Sequence, residues 1–129
     1  MPTFKDQSPL LAREFAERLD PIVRAIYLEL EHHVLTVYRI PLIITCVERT
    51  PLENQKAGGV PRSAHLKQDG YYVRALDMRT KNLSETAIRD VVSRVARVWG
   101  AMAHCIRHTG TADHIHLNVN LRYATAWPE

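Results

Sequence analysis

Four residues in the second half of the chain have the types and spacing of a metal-assisted hydrolysis site. His65 closes the run Arg62-Ser63-Ala64-His65, Asp77 closes Arg74-Ala75-Leu76-Asp77, and Asp113 opens Asp113-His114-Ile115-His116. Together His65, Asp77 and His116 would supply two imidazoles and one carboxylate, a set that leaves a zinc ion one open position for water. Asp113, three residues before His116, would then be placed to take a proton from that water.

Taken singly, the pieces are ordinary. His114, His116, Asn118 and Asn120 recur at period two and so share one face of a strand. Such a face is either solvent-exposed or the floor of a site. Asp is depleted in strands, so Asp77, between Leu76 and Met78, needs a partner if it is buried. Arg74, Arg79 or a cation could be that partner, and a salt bridge explains the residue as simply as a metal does.

The elements that must position these residues can be read from caps and periodicity. Ser8-Pro9 and Asp20-Pro21 are two helix starts, each an N-cap followed by proline. The first predicts a helix to about Leu19. The second opens an amphipathic helix through Ile22, Val23, Ile26, Tyr27, Leu30, Val34 and Val37 to about Tyr38, stopped by Pro41. Leu42 to Val47 predicts a buried strand. Glu48 to Ala64, with two prolines and Gly58-Gly59, predicts a loop. Tyr71 to Arg79 predicts a strand. Ser84 and Glu85 open a third helix that Gly100 ends. A strand over Ala101 to His108, a turn at Thr109-Gly110-Thr111 and a last strand through Ile115, Leu117 and Val119 complete the chain. The expectation is a single α+β domain over residues 1–129, with N-terminal helices on a small, mostly antiparallel sheet and one inserted helix.

Composition limits the alternatives. The chain has 129 residues, 46% hydrophobic and 24% charged, with a net charge of +3, enough for one core without staples. The basic residues form no block and are not interleaved with aromatics, so no dedicated nucleic-acid face is indicated. The apolar runs are too short to span a membrane. Cys46 and Cys105 read as buried free thiols, with a single disulfide as the alternative. Met1 to Asp6 lacks a basic stretch followed by an apolar one. The expected product is therefore made in the cytoplasm without a signal peptide, and if it works elsewhere, lysis or another export route must release it.

The stretch Ile44-Thr45-Cys46-Val47-Glu48-Arg49-Thr50-Pro51, then Asn54, then Gly58-Gly59-Val60-Pro61-Arg62-Ser63-Ala64-His65-Leu66, resembles the zinc D-alanyl-D-alanine carboxypeptidase family. That family includes L-alanyl-D-glutamate endopeptidases of phage endolysins. Its pattern of Arg with Thr/Ser-Pro, Asn, Gly-Gly, Ser-x-His, Ala-x-Asp and an acidic residue three before a histidine occurs here in order, from about Leu42 to Leu121. The resemblance implies one Zn2+ held by His65, Asp77 and His116. It also implies Asp113 as general base and proton donor, and Arg49 as the group that stabilises the oxyanion or holds substrate. Ser63 would be a hydrogen bonder toward substrate or behind a ligand. Beside these, His114 could orient Asp113, contact substrate or be an alternative ligand, and Tyr71 or Tyr72 could line the cleft; His114 and Tyr72 are taken as the substrate-side candidates. The implied partner is peptidoglycan or its peptides, met by a monomer with no nucleic acid and no membrane span.

The sequence departs from the family pattern in three places. His65 and Asp77 are twelve residues apart, and Lys67 to Tyr72 carries about five extra residues, an insertion of little entropic cost that could cover the cleft. Ile115 stands where an aromatic or proline is common. Val47 and Glu48 replace small residues, and Glu48 could pair with Arg49 and blunt it. Three rival readings follow: a non-catalytic zinc-containing wall-binding domain, a metal-dependent nuclease, and a plain structural protein with the ligands in salt bridges.

Overall fold

The computed structural model describes residues 2–59, 62–110 and 112–128. Ser8 and Asp20 cap the first two helices as expected: the Ser8 side chain accepts from the Leu11 N–H, and Asp20 from that of Ile22. Strand β1 (Thr3–Phe4) leads into α1 (Pro9–Glu17) and α2 (Pro21–Tyr38). Helix α2 stops before Pro41 is reached, at Arg39 in the left-handed region (φ 59°). Strand β2 (Ile43–Cys46) follows, then α3 (Pro51–Lys56), β3 (Ala75–Arg79), α4 (Glu85–Trp99), β4 (Ala103–His108) and β5 (His114–Val119).

The fold is α+β, with one five-stranded sheet in the order β1-β2-β3-β5-β4. Only β1 and β2 run parallel; the other neighbours are antiparallel. Helices α2 and α4 pack on one face, where Ile44, Met78, Leu76, Ile115, Leu117 and Val119 join Val23, Ile26, Leu30, Val91 and Val95 in the core. The opposite face carries Asp77, His114, His116 and Asn118, because side chains alternate across each strand and His116 lies opposite Asp77 in the ladder.

Three details correct the sequence reading. The expected loop from Glu48 contains helix α3, built on a capping box: Thr50 accepts from the Glu53 N–H while the Glu53 carboxylate accepts from that of Thr50. The expected strand from Tyr71 is regular only from Ala75; before that, Tyr71 and Val73 make single bridges to Ala126 and Leu19. Strand β1 was not foreseen, since two residues carry no periodicity. In the turn after β4, Thr111 lies outside the described residues, as do Val60 and Pro61 in the upstream loop.

The register of β2 breaks between Ile44 and Cys46. Ile44 lies opposite Met78, yet Cys46 lies opposite Asp77. A regular strand would put residues 44 and 46 on one face. The bulge sends Ile44 into the core and Cys46 to the polar face.

The C-terminal segment ties back to the start of α2. Both Asp20 carboxylate oxygens are used: Oδ2 accepts from the Thr125 N–H at 2.7 Å, and Oδ1 from the Thr125 hydroxyl at 2.9 Å. The residues inserted between His65 and Asp77 fold onto this segment too. The Trp127 N–H donates to the Gly70 carbonyl, Tyr72 meets Trp127 edge-on with centroids 4.6 Å apart, and the Lys67 ammonium lies 4.6 Å above the same indole.

Candidate metal centre

The three expected ligands arrive from three directions. Asp77 is the middle residue of β3, and His116 faces it from β5. His65 comes from the loop before β3, which is fixed by backbone bonds from the Arg49 N–H to the His65 carbonyl and from the Arg74 N–H to the Ala64 carbonyl. Ser63 supports the same turn, its hydroxyl oxygen accepting from the His65 N–H at 3.2 Å. Upstream, Asn54 is buried against Gly59, where an added Cβ would lie 2.0 Å from Asn54 Oδ1. The Asn and the second Gly of the pattern therefore pack as one unit.

His65 and Asp77 are almost fully buried, at 2% and 3% exposure. Nε2 of His65 lies 3.0 Å from Asp77 Oδ1, and Nδ1 of His116 lies 3.2 Å from the same oxygen. Each ring's other nitrogen is committed elsewhere. Nδ1 of His65 is 2.7 Å from the Val47 carbonyl, and Nε2 of His116 is 2.9 Å from Asn118 Oδ1. A carbonyl oxygen can only accept, so both of those nitrogens carry the proton. In the neutral tautomers, each imidazole then aims a lone pair at a buried carboxylate oxygen. That is repulsive unless a cation or an extra proton lies between them. Two nitrogens and a carboxylate, each oriented by an outer partner, fit a zinc ion.

The titration of the group carries the same information. Burial works against a charge on His65, but hydrogen bonds to Asp77 and Cys46 outweigh it and push the imidazole up to about 10. Burial likewise opposes the charge on Asp77, yet hydrogen bonds from His116 and His65 hold its carboxyl below the usual range. The same contacts that favour a proton on His65 beside Asp77 would favour a cation there.

Cys46 is a donor that sequence reasoning missed. Cys46, His65 and Asp77 bring one donor atom each within 4.8 Å of one another. The sulfur's contact, however, is at 3.8 Å to His65 Nδ1, the nitrogen whose proton Val47 holds. On tautomer grounds His116 is the better third ligand, and Cys46 lies behind the His65 ring. Only the β2 bulge brings this thiol to the polar face, and nothing in the local sequence announces a bulge. Cys105 is a free, buried thiol pushed up to about 12 by desolvation.

The centre opens into a cleft of roughly 1220 Å³ lined by Arg49, Ser63, Asp113 and His114 among others. Arg49 reaches Asp77 Oδ2 at 3.4 Å. The feared pairing of Glu48 with Arg49 does not occur. Glu48 is held by Arg18 at the end of α1 through two bonds of 2.9 Å, which leaves Arg49 turned to the cleft. Nε2 of His114 lies 3.7 Å from Asp77 Oδ2, with its Nδ1–H on the Ala112 carbonyl at 2.7 Å. His108, at the end of β4, also lines the cleft, its ring 5.0 Å from that of His114; burial and the two neighbouring histidines lower its pKa.

Two expected residues are placed differently. Tyr72 is not among the cleft residues; its ring is on Trp127. Asp113 lines the cleft, but both its oxygens accept from Arg107, at 3.0 Å from Nε and 2.7 Å from Nη2. That fork holds its pKa below the usual carboxylate range. The inserted loop does not cover the centre.

Comparison with known proteins gives one result. A family model described as peptidase M15 matches residues 15–118. No curated protein and no solved structure gave a match. The match runs from α1 to β5 and spans every residue of the centre just described, so the chain belongs to the peptidase M15 family, the zinc peptidases that act on peptidoglycan.

Proposed function

We propose that this chain uses one zinc ion to hydrolyse peptidoglycan stem peptides next to a D-amino acid, as a carboxypeptidase or as an endopeptidase of the endolysin type. The observation that carries the reading is the convergence of one ring nitrogen each from His65 and His116 on a single buried oxygen of Asp77. His65, Asp77 and His116 would hold the ion. Bound there, zinc would acidify a water and polarise the scissile carbonyl.

The remaining roles fall to groups on the cleft wall. Arg49, held 3.4 Å from Asp77 by a backbone anchored to His65, can offer guanidinium protons to the carbonyl oxygen as charge develops on it. Asp113 takes the proton of the attacking water and returns it to the leaving amine. To do so, one of its oxygens must come free of Arg107. Thr80 keeps the turn in place meanwhile, its hydroxyl donating to the Asp113 carbonyl at 3.1 Å. His114 borders the open side of the centre and would contact substrate.

A second reading, a non-catalytic zinc-containing wall-binding domain, is favoured by the same fork on Asp113. Metal analysis of the purified protein, together with hydrolysis of purified muropeptides, separates the two. Zinc with turnover supports the peptidase. Zinc with muropeptide affinity and no turnover supports the binding domain. Full activity in His65→Ala or Asp113→Ala would overturn the assignment.

A further inference from the structure

Charge is distributed unevenly between the cleft and the rest of the molecule. Of 17 basic residues, seven line the cleft, against two of the 14 acidic ones, Asp77 and Asp113. Both acids already have tasks at the centre. The rest of the chain therefore carries a slight acidic excess, and its overall positive charge is concentrated around the metal ligands.

Lys5 lies past β1 at the sheet edge, and two pairs of the surplus flank the centre. Arg79 is two residues beyond Asp77 on β3 and leaves the strand on the same face, roughly 7 Å along it. Lys81 follows just past the strand end. On the other side, Lys56 ends α3 and Arg62 opens the turn that delivers His65. That turn is bonded to residues 49 and 74, beyond the opposite end of β3. All four side chains line the cleft, and none makes an ion pair among the described residues. Together with Lys5, which also lines the cleft without an ion pair among the described residues, these cations around a low-lying centre raise the local concentration of an anionic ligand, and the two flanking pairs orient it.

We propose that the substrate is an acidic peptide with carboxylates on both sides of the cleaved bond, read by Lys56 and Arg62 on one side and by Arg79 and Lys81 on the other. This rests on the peptidase reading and adds the substrate's charge pattern to it. A peptide with one free terminal carboxylate and no other acid engages only one of the two pairs.

The test uses zinc-loaded protein and soluble stem peptides, with their carboxylates either free or converted to amides. Amidation on one side is expected to raise KM about threefold to tenfold, the range that one or two exposed ion pairs supply, with a smaller effect on kcat. Lys56→Gln with Arg62→Gln should abolish the response to amidation on one side only, and Arg79→Gln with Lys81→Gln on the other. Both differences should shrink near 1 M salt, where screening acts within about 3 Å. Equal KM for free and amidated peptides, or double variants that respond like the parent, would overturn the proposal. If the zinc-loaded protein cleaves neither form, the peptidase reading fails instead. Calorimetric binding of the same peptides then decides: tighter binding of the free form upholds the charge pattern, and equal binding overturns it.

Discussion

Arg107 grips Asp113 from the far side of the sheet. It lies opposite Ile115 in the β4–β5 ladder, so its side chain leaves on the helix face, away from His116. From there it binds both oxygens of Asp113 and, through Nη1, the Glu85 carboxylate at 2.6 Å in the first turn of α4. Asp113→Asn is expected to lower kcat by about 10²- to 10⁴-fold and to leave zinc content unchanged, because a base is lost and no ligand is. Arg107→Ala removes the main cause of the depressed pKa, so the acid limb of kcat/KM at saturating zinc should move to higher pH. A limb that stays in place would show that Asp113 is not the base.

Metal retention separates His116 from Cys46 as the third ligand. His65→Ala, Asp77→Ala and His116→Ala should each lose zinc, whereas Cys46→Ser should keep it. Atomic absorption on dialysed protein reads this directly. Zinc at about a hundred times its dissociation constant should stabilise the parent by about 2.7 kcal/mol, visible as a higher Tm. The same addition should leave His116→Ala unmoved.

The metal-free centre predicts an alkaline loss of stability. The folded pKa of His65 is raised from 6.5 to about 10, so its contribution is complete below 6.5 and is lost as pH climbs through about 10. Asp77 has the opposite sign: its carboxyl is depressed, so its contribution is lost only in acid, below the ordinary carboxylate range. Urea midpoints of chelator-treated protein should therefore fall between pH 6.5 and 10. Zinc-loaded protein should fall less, since the ion replaces the departing proton. A flat midpoint in the chelated protein would contradict the buried His65–Asp77 contact.

Arg18 is expected to matter to catalysis without touching the cleft. It neutralises Glu48 next to Arg49, and its guanidinium also lies 5.2 Å from the Trp127 ring. Both partners of the ion pair are partly exposed, so Arg18→Ala should cost only about 0.2–1 kcal/mol in stability. The freed Glu48 can then turn to Arg49, and kcat/KM should fall well beyond that small destabilisation. Glu48→Gln in the same background should restore much of it.

The sequence carried the helices well because their caps are local. Ser8, Asp20 and Ser84 each accept a backbone proton within three residues, and proline follows two of them. The candidate ligands could be picked out for a different reason: ordered motifs constrain one another, and the longer His65–Asp77 gap is a loop that packs on Trp127 and leaves both ends in place. What escaped was set by register or by distant charge. Thr50 and Glu53 are a local start signal for α3, but with Pro51 and Gly58-Gly59 so near, the stretch has the composition of a loop. The role of Cys46 depends on a bulge, and the partners of Glu48 and Asp113 lie on other elements. The family match also reaches back to residue 15, across helices for which the motif supplied only a position.

Strand β2 is four residues long and serves two opposite surfaces, with Ile44 turned to the helices and Cys46 to the centre. Thr45 is the odd beat that makes this work. Were it to pair with Asp77 in a strand without the bulge, the result would be a frameshift in space: every residue beyond it would trade faces. The sulfur would swing toward oil, Val47 toward water, and the carbonyl that holds His65 would lose its aim. A strand paired this way would keep every candidate ligand in the sequence and still lack the site they build.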